Sequence, residues 1–422
     1  MANIKELCED IQKKEIWLYG DQDEISVFIK TYLGLLDIKG VITEYTDEVK
    51  IQPYAEWNIK AEMIGGVTLT KEQLIIVCHH DRFYTLRLRL MYLGKQEYKD
   101  FVSSNLVECL LYGKQLVVCM GTQLISQVCT FLKNSKEFLE NHSIVYYAES
   151  DLMEPYRNQL QECIHVAKCC DVYIRSDCEK ERYPLKVLGI NVLAETCKVI
   201  TVADYGFSGY FPQTERDRDR ISDYLLRGYE RLPMSYETVA FAREDKEVLR
   251  LCKEGKSEED IVQTVGDIGF YSQESVNAHF DSEVERFKQL EENADIKLGG
   301  FIEEHRGELL CRNLNEWHEH AVSYVADEIL KRLNLPALSM DRQERGRLLE
   351  DACGSDLPVY PCVRKALGLA AESKEPKYRV VTYFGVRYMS WDEYIHYTVQ
   401  YLYRTIDIME FTGMDMTLKP LG

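Results

Sequence analysis

Hydrophobic positions in the first hundred residues fall into short unbroken runs separated by stretches with helical spacing. Residues 15–20, EIWLYG, form an apolar run closed by Gly20, and DQDEISVFIKTYLGLL follows with apolar residues three and four apart. IKGVITE is a second run ending at Glu44. QLIIVCHH is a third, followed by DRFYTLRLRLMYLG, a helix that Gly94 is placed to stop. Strands alternating with helices in this way predict a parallel, doubly wound sheet.

A second alternation begins at Gln115. QLVVCMGTQ ends its strand at Gly121, LISQVCTFL continues at helical spacing, and HSIVYYAE, CDVYIRSD and CKVITVADY are further strand candidates. Beyond Pro233 the pattern turns helical. Val276, Phe280, Val284, Phe287 and Leu290 form one stripe, and Val322, Val325, Ile329, Leu330 and Leu333 another, each predicted to face a core. The last 85 or so residues read as helices with one strand-like piece, YRVVTYFG. The fold class expected is therefore α/β: an amino-terminal Rossmann-like parallel sheet, then a second α/β domain whose carboxyl-terminal half is largely helical.

A net charge of −19 disfavours nucleic-acid binding and attraction to anionic lipid, because both need a basic face. No apolar run is long enough to insert in a membrane. The 14 cysteines are irregularly spaced and the start of the chain is charged, so a cytoplasmic protein with free thiols is expected. The densest cluster, Cys163, Cys169, Cys170 and Cys178, lacks the paired CxxC spacing of a zinc site, and no metal is expected.

Parallel sheets bind ligands at the carboxyl ends of their strands. Gly20 and Glu44 stand where the first turn meets phosphate and where an acid takes a ribose hydroxyl, with His79 and His80 beside them at the end of a later strand. The turn GDQDE nevertheless has one glycine where a dinucleotide fingerprint has three, and its acids repel phosphate. In the second half, MGTQ (120–123), GFSGYFPQ (206–213) and NEWHEH (315–320) are polar corners at the ends of apolar runs. The arginines after the second corner, Arg216, Arg218, Arg220, Arg227 and Arg231, alternate with acids. They read either as a solvated helix face or as a local phosphate-binding patch.

CMGTQ, ADYGFSGYFPQ, ADIKLGGFIEEHRGELL, NEWHEHAVSYVADEILKRLNL and VYPCVRKALGL, in that order, resemble the WcbI family of bacterial polysaccharide biosynthesis enzymes over roughly residues 115–400. The resemblance implies transfer of an acetyl group from coenzyme A to a capsular sugar, with the cofactor near the first motif. On that basis Gly121, Gln123, Ser208, Gly209, Tyr210 and Arg216 are cofactor-binding candidates. The family's first motif reads Gly-Asn-Cys-Gln, and this chain has Thr122 in place of the cysteine. Phe211 stands at the histidine of the second motif, and Glu316 at the histidine of the last. Residues 14–105 resemble the small Rossmann-like domain that precedes several sugar acyltransferases, which makes Gly20, Glu44 and His79 nucleotide-sugar candidates. The expected division is 1–112 for that domain, 113–335 for the acyltransferase core and 336–422 for a mostly helical extension.

A threonine hydroxyl needs an oriented base to become a nucleophile. His318 and His320 are the leading catalytic candidates beside Thr122, with His305 and His279 as further ones. Alternatively Thr122 only hydrogen-bonds while a base activates the sugar hydroxyl directly, or its side chain caps the following helix. The functional expectation is a coenzyme A-dependent acyltransferase acting on an activated sugar or polysaccharide precursor. Two alternatives stand beside it: a catalytically silent relative that binds coenzyme A or a nucleotide sugar, and a carbohydrate esterase with Asn315 where an aspartate would belong.

Overall fold

The computed structural model describes residues 11–43, 52–64, 70, 72–79, 83–148, 157–177, 193–214, 245–350, 353–369, 376–382 and 385–412. They fall into two compact units, one of residues 1–204 with 326–339 and one of residues 205–325 with 340–422.

The first unit holds both parallel sheets. β1 (Glu15–Gly20), β2 (Asp37–Thr43), β3 (Lys60–Met63), β4 (Gln73–Cys78) and β5 (Phe101–Ser103) lie in the order β3-β2-β1-β4-β5, every pair parallel. That is the Rossmann strand order, as the alternation predicts. Helix α1 (Gln22–Tyr32) follows β1, with Asp21 accepting the Asp23 N–H as its cap. Helix α2 (Phe83–Tyr92) follows β4, and Gly94 takes up a left-handed φ of 78° just beyond it. Alternate residues of β1 serve opposite faces: Ile16 and Leu18 join one core, Trp17 and Tyr19 the other. A strand covered on both sides reads as an unbroken apolar run, which is why β1 and β4 are legible.

The second sheet consists of β6 (Gln115–Gly121), β7 (His142–Ala148), β8 (Val172–Asp177) and β9 (Lys198–Ala203), in the order β7-β6-β8-β9 and again all parallel. Helix α3 (Gln123–Leu132) follows β6, and α4 (Arg157–Ala167) precedes β8. Leu116, Val118, Met120 and Tyr173 of this sheet share one core with Ile16, Leu18, Leu74 and Ile76 of the first. Beside that core, His165 of α4 is buried between Glu97 at 2.5 Å and the Ser103 N–H at 3.2 Å. Burial alone would raise the Glu97 carboxyl, but hydrogen bonds from His165 and Arg87 hold it at about 2.

The second unit is helical, with α5 (Lys246–Lys253), α6 (Gln273–Leu290), α7 (Gly299–Glu304), α9 (Pro361–Leu367) and α10 (Trp391–Thr412), and with the start of α8 (Glu319–Arg332), which continues into the first unit. Val276, Phe280, Val284 and Phe287 of the α6 stripe are buried and Leu290 is only half-buried. In α8 the stripe is buried from Val322 to Leu330, while Leu333 lies beyond the helix and is half-buried. The strand-like piece becomes β10 (Tyr378–Thr382), paired antiparallel with β11 (Gly385–Met389).

Three strands escape the sequence pattern. β3 alternates charged residues at a sheet edge, β5 has three residues, and β11 is exposed along most of its length. None offers an apolar run of ordinary length.

Asp245 anchors the second unit. It caps α5 through the N–H groups of Glu247 and Val248, and the buried Tyr360 hydroxyl donates to both its oxygens at 2.9 and 2.8 Å. Burial lifts the carboxyl from 3.8 to about 6 in spite of these donors. A folded pKa above the unfolded one gives stability that is present below 3.8 and lost as pH rises through about 6. Asp245→Asn keeps the cap and is expected to remove this share of the decline, measured by urea unfolding on either side of that window. Tyr360→Phe is expected to cost about 1–3 kcal/mol in the same assay.

Candidate active site

The second sheet changes direction at β6: β7 lies on one side of it and β8 on the other. A crevice therefore opens at the carboxyl ends of β6 and β8, where open α/β sheets seat their ligands. Gly121 ends β6, Thr122 follows it, Ser176 is the penultimate residue of β8, and Asp204 immediately follows β9.

These residues form one hydrogen-bonded cluster. Thr122 Oγ1 donates to Asp204 Oδ2 in a short contact, and Ser176 Oγ donates to the same oxygen at 2.8 Å. Ser176 Oγ in turn accepts the Thr122 N–H at 3.1 Å. The Tyr146 hydroxyl, on β7, donates to the carbonyls of Gly121 and Thr122 at 3.1 and 3.2 Å. Thr122 does occupy the N-cap position of α3, but its side chain makes no cap bond. The hydroxyl is committed to Asp204 instead. Burial raises the Asp204 carboxyl above its ordinary range, opposed by the donors from Thr122 and Ser176.

Gly121 is required by this packing. A Cβ there would stand 2.0 Å from Ser176 Oγ and 2.6 Å from Ile125 Cγ1. In the residue before Ser176, the Arg175 Nε is buried and has no hydrogen-bond partner among the described residues.

The sequence points to Thr122, Gly121 and Gln123 and misses Ser176 and Asp204. The signal for both lies in the strands themselves: each strand candidate after β6 ends in small or acidic residues, RSD and VAD, at the same edge as MGT. Once the strands are parallel, those ends must meet.

The remaining predicted residues are placed as follows. Gly20 and His79 share the crevice of the first sheet, where Gly20 registers with Cys78 and His79 Nδ1 lies 3.9 Å from Glu24. A Cβ at Gly20 would stand 1.9 Å from the Cys78 carbonyl oxygen, so close strand packing already requires the glycine. Glu44, His80, Cys178 and the five arginines from Arg216 to Arg231 lie outside the described residues.

Ser208, Gly209 and Tyr210 belong to the second unit and form a buried corner. Ser208 Oγ donates to Glu283 at 2.8 Å, the Tyr210 hydroxyl to the Glu308 carbonyl at 2.7 Å, and Gln213 to the Pro358 carbonyl at 3.0 Å. A Cβ at Gly209 would meet the Phe207 ring at 2.4 Å. His279 contacts the Ser208 carbonyl at 3.0 Å. Glu316 accepts the Gly354 N–H at 2.7 Å. His318 is neutral at ordinary pH: burial and then the Arg312 charge hold its imidazole at about 4, which leaves it a weak base. His320 lies 2.9 Å from Glu308.

Residues 131–338 match the family described as polysaccharide biosynthesis enzyme WcbI. The chain carries a WcbI-family domain. Ser176 and Asp204 lie inside the matched range, and Thr122 lies just before it. The fold is similar to a solved structure of WcbI, a polysaccharide biosynthesis enzyme, with a TM-score of 0.54 and 14% identity, covering 71% of this chain and 93% of that one. That protein is described as native and without a disulfide bond between coenzyme A and one of its cysteines. No curated protein sequence matches this chain. Among the described residues no helix is long and apolar enough to cross a membrane.

Gly121→Ala is expected to cost about 1–3 kcal/mol through overpacking, read as a lower urea midpoint. Gly113→Ala, at a left-handed φ of 66° with open space around it, tests backbone strain alone.

Proposed function

We propose that this chain transfers an acyl group from coenzyme A to a hydroxyl of a sugar or polysaccharide precursor, with Thr122 and Asp204 at the reacting centre. The observation that carries the reading is the Thr122–Asp204–Ser176 cluster at the direction change of a parallel sheet, in a chain with a WcbI-family domain.

The residues present suit an anionic, thioester-bearing carrier. The α3 amino terminus is the positive end of a ten-residue helix, and the Arg175 Nε, without a partner among the described residues, is a buried donor in the adjoining strand. Arg175 would hold a phosphate and the first turn of α3 would meet the carbonyl oxygen. An acyl-coenzyme A, when bound, would supply an acyl group activated as a thioester, with the coenzyme A thiol as the leaving group.

The protein's own part is proton handling. Thr122 Oγ1 already donates to Asp204 Oδ2, so its proton can pass along an existing hydrogen bond as negative charge develops on the hydroxyl. Ser176 pins the accepting oxygen from a second side and fixes the Thr122 N–H. Burial makes Asp204 a stronger base than a solvated aspartate. A sugar hydroxyl that takes the place of the Thr122 hydroxyl would meet the same acceptor. The cluster therefore serves attack by either oxygen.

Asp204→Asn separates catalysis from stability. The raised carboxyl contributes stability below its unfolded pKa that is lost as pH rises through the folded one, so at neutral pH the amide removes a penalty. The variant is expected to keep or raise the melting temperature and to lose at least about a hundredfold in thiol release from acetyl coenzyme A with a sugar acceptor. Thr122→Ala should lose activity comparably if its oxygen attacks, and much less if it only positions the acceptor. Carrier binding in native mass spectrometry without thiol release against a panel of sugars would favour a silent binding protein. Full activity in Asp204→Asn would overturn the assignment of the centre.

A further inference from the structure

Away from the Thr122 cluster, the second unit brings together three donors that the sequence never groups. His305 and Glu308 lie in the turn after α7, and His320 lies in the first turn of α8. One ligand atom from each lies within 4.8 Å of the others. From this geometry we propose that His305, Glu308 and His320 form a binding site for a divalent cation of the zinc class.

The tautomer of His305 suits coordination. His305 Nδ1 lies 2.9 Å from the Phe301 carbonyl one turn earlier. A carbonyl only accepts, so Nδ1 carries the proton and Nε2 keeps the lone pair that a metal needs. A backbone acceptor on the far nitrogen is the usual outer support of a metal-binding histidine.

The rings are also ordered in advance. Phe301 packs against His305 at 4.2 Å and His320 at 5.0 Å between centroids, Tyr324 stacks on Phe301 at 4.3 Å, and the two imidazoles stand edge to face at 4.8 Å. Glu308 is held at both ends. Its carbonyl accepts the Tyr210 hydroxyl at 2.7 Å, and its carboxylate lies 2.9 Å from His320 Nδ1.

Charge favours a cation as well. The neighbouring cation, Arg306, is paired with Asp281 at 2.6 Å, so a metal here meets a net negative donor set.

Donors about 2.0–2.1 Å from one zinc ion stand roughly 3.4 Å apart in a tetrahedron. Closing from separations of up to 4.8 Å calls for small rotations of three side chains of which none is fully buried. Two imidazoles and one carboxylate select zinc, cobalt or nickel over magnesium or calcium, and three protein ligands leave a position for water.

Cobalt(II) is the probe, because its spectrum separates nitrogen and oxygen ligands from the chain's many thiols. Full-length protein stripped with EDTA is expected to take up one equivalent with visible d–d bands and without the near-ultraviolet thiolate band, and Zn2+ should displace it. His305→Ala and Glu308→Gln should each weaken binding at least about tenfold. Glu308→Gln keeps the side chain's size, and an unchanged melting temperature of its metal-free form shows that a loss is local. No uptake, uptake only with the thiolate band, tighter binding of Mg2+ or Ca2+, or an affinity unchanged in both variants would each overturn the site.

Discussion

Parallel pairing is the constraint from which the rest follows. Strands that all run one way end on a common edge, so residues far apart in sequence are delivered to one line without any contact having been selected for them individually. β6, β8 and β9 end in MG, SD and VA, and their pairing brings Thr122, Ser176 and Asp204 within hydrogen-bond reach although 82 positions separate the first from the last. The crevice at the β6–β8 boundary comes from the same pairing, because the chain leaves β6 toward β7 and returns to its other side.

A second theme is how an acidic chain hides carboxylates. Asp204, Asp245, Glu283 and Glu291 are all buried, and each is surrounded by donors rather than by cations alone. Asp204 has two hydroxyls, Asp245 a phenol and two helix N–H groups, and Glu291 the N–H groups of Leu298 and Gly299. Glu283 takes the Ser208 hydroxyl with Arg286 beside it. Such groups cost solvation that their hydrogen bonds only partly return. At Asp204 and Asp245 the remainder appears as a raised proton affinity. In the folded chain that is an asset for chemistry and a liability for stability.

Much of this was legible in the sequence. Strands covered on both faces read as apolar runs, so β1, β4 and β6 announce themselves, and Gly94 marks the end of α2. Thr122 was legible as a corner residue because a strand, a glycine and a helix frame it. Asp204 and Ser176 were not, because an aspartate after a strand looks the same whether it faces solvent or a hydroxyl brought in by another strand. Ser208, Gly209 and Tyr210 drew attention as a bend rich in small residues, and the structure gives them packing contacts: Gly209 lets the Phe207 ring lie close, and Tyr210 fastens the turn at Glu308. Small residues mark both ligand approach and tight packing, and composition alone does not separate the two. Gly20 makes the same point beside the Cys78 carbonyl.

The threonine at the β6 corner has one more consequence. A thiol in such a place is open to exchange with any disulfide or oxidised sulfur compound that reaches it. An alcohol oxygen enters no such exchange. In the proposed reaction an alcohol at this corner gives up ease of ionisation and relies on the buried Asp204 to recover it, while the corner itself stays outside thiol–disulfide exchange.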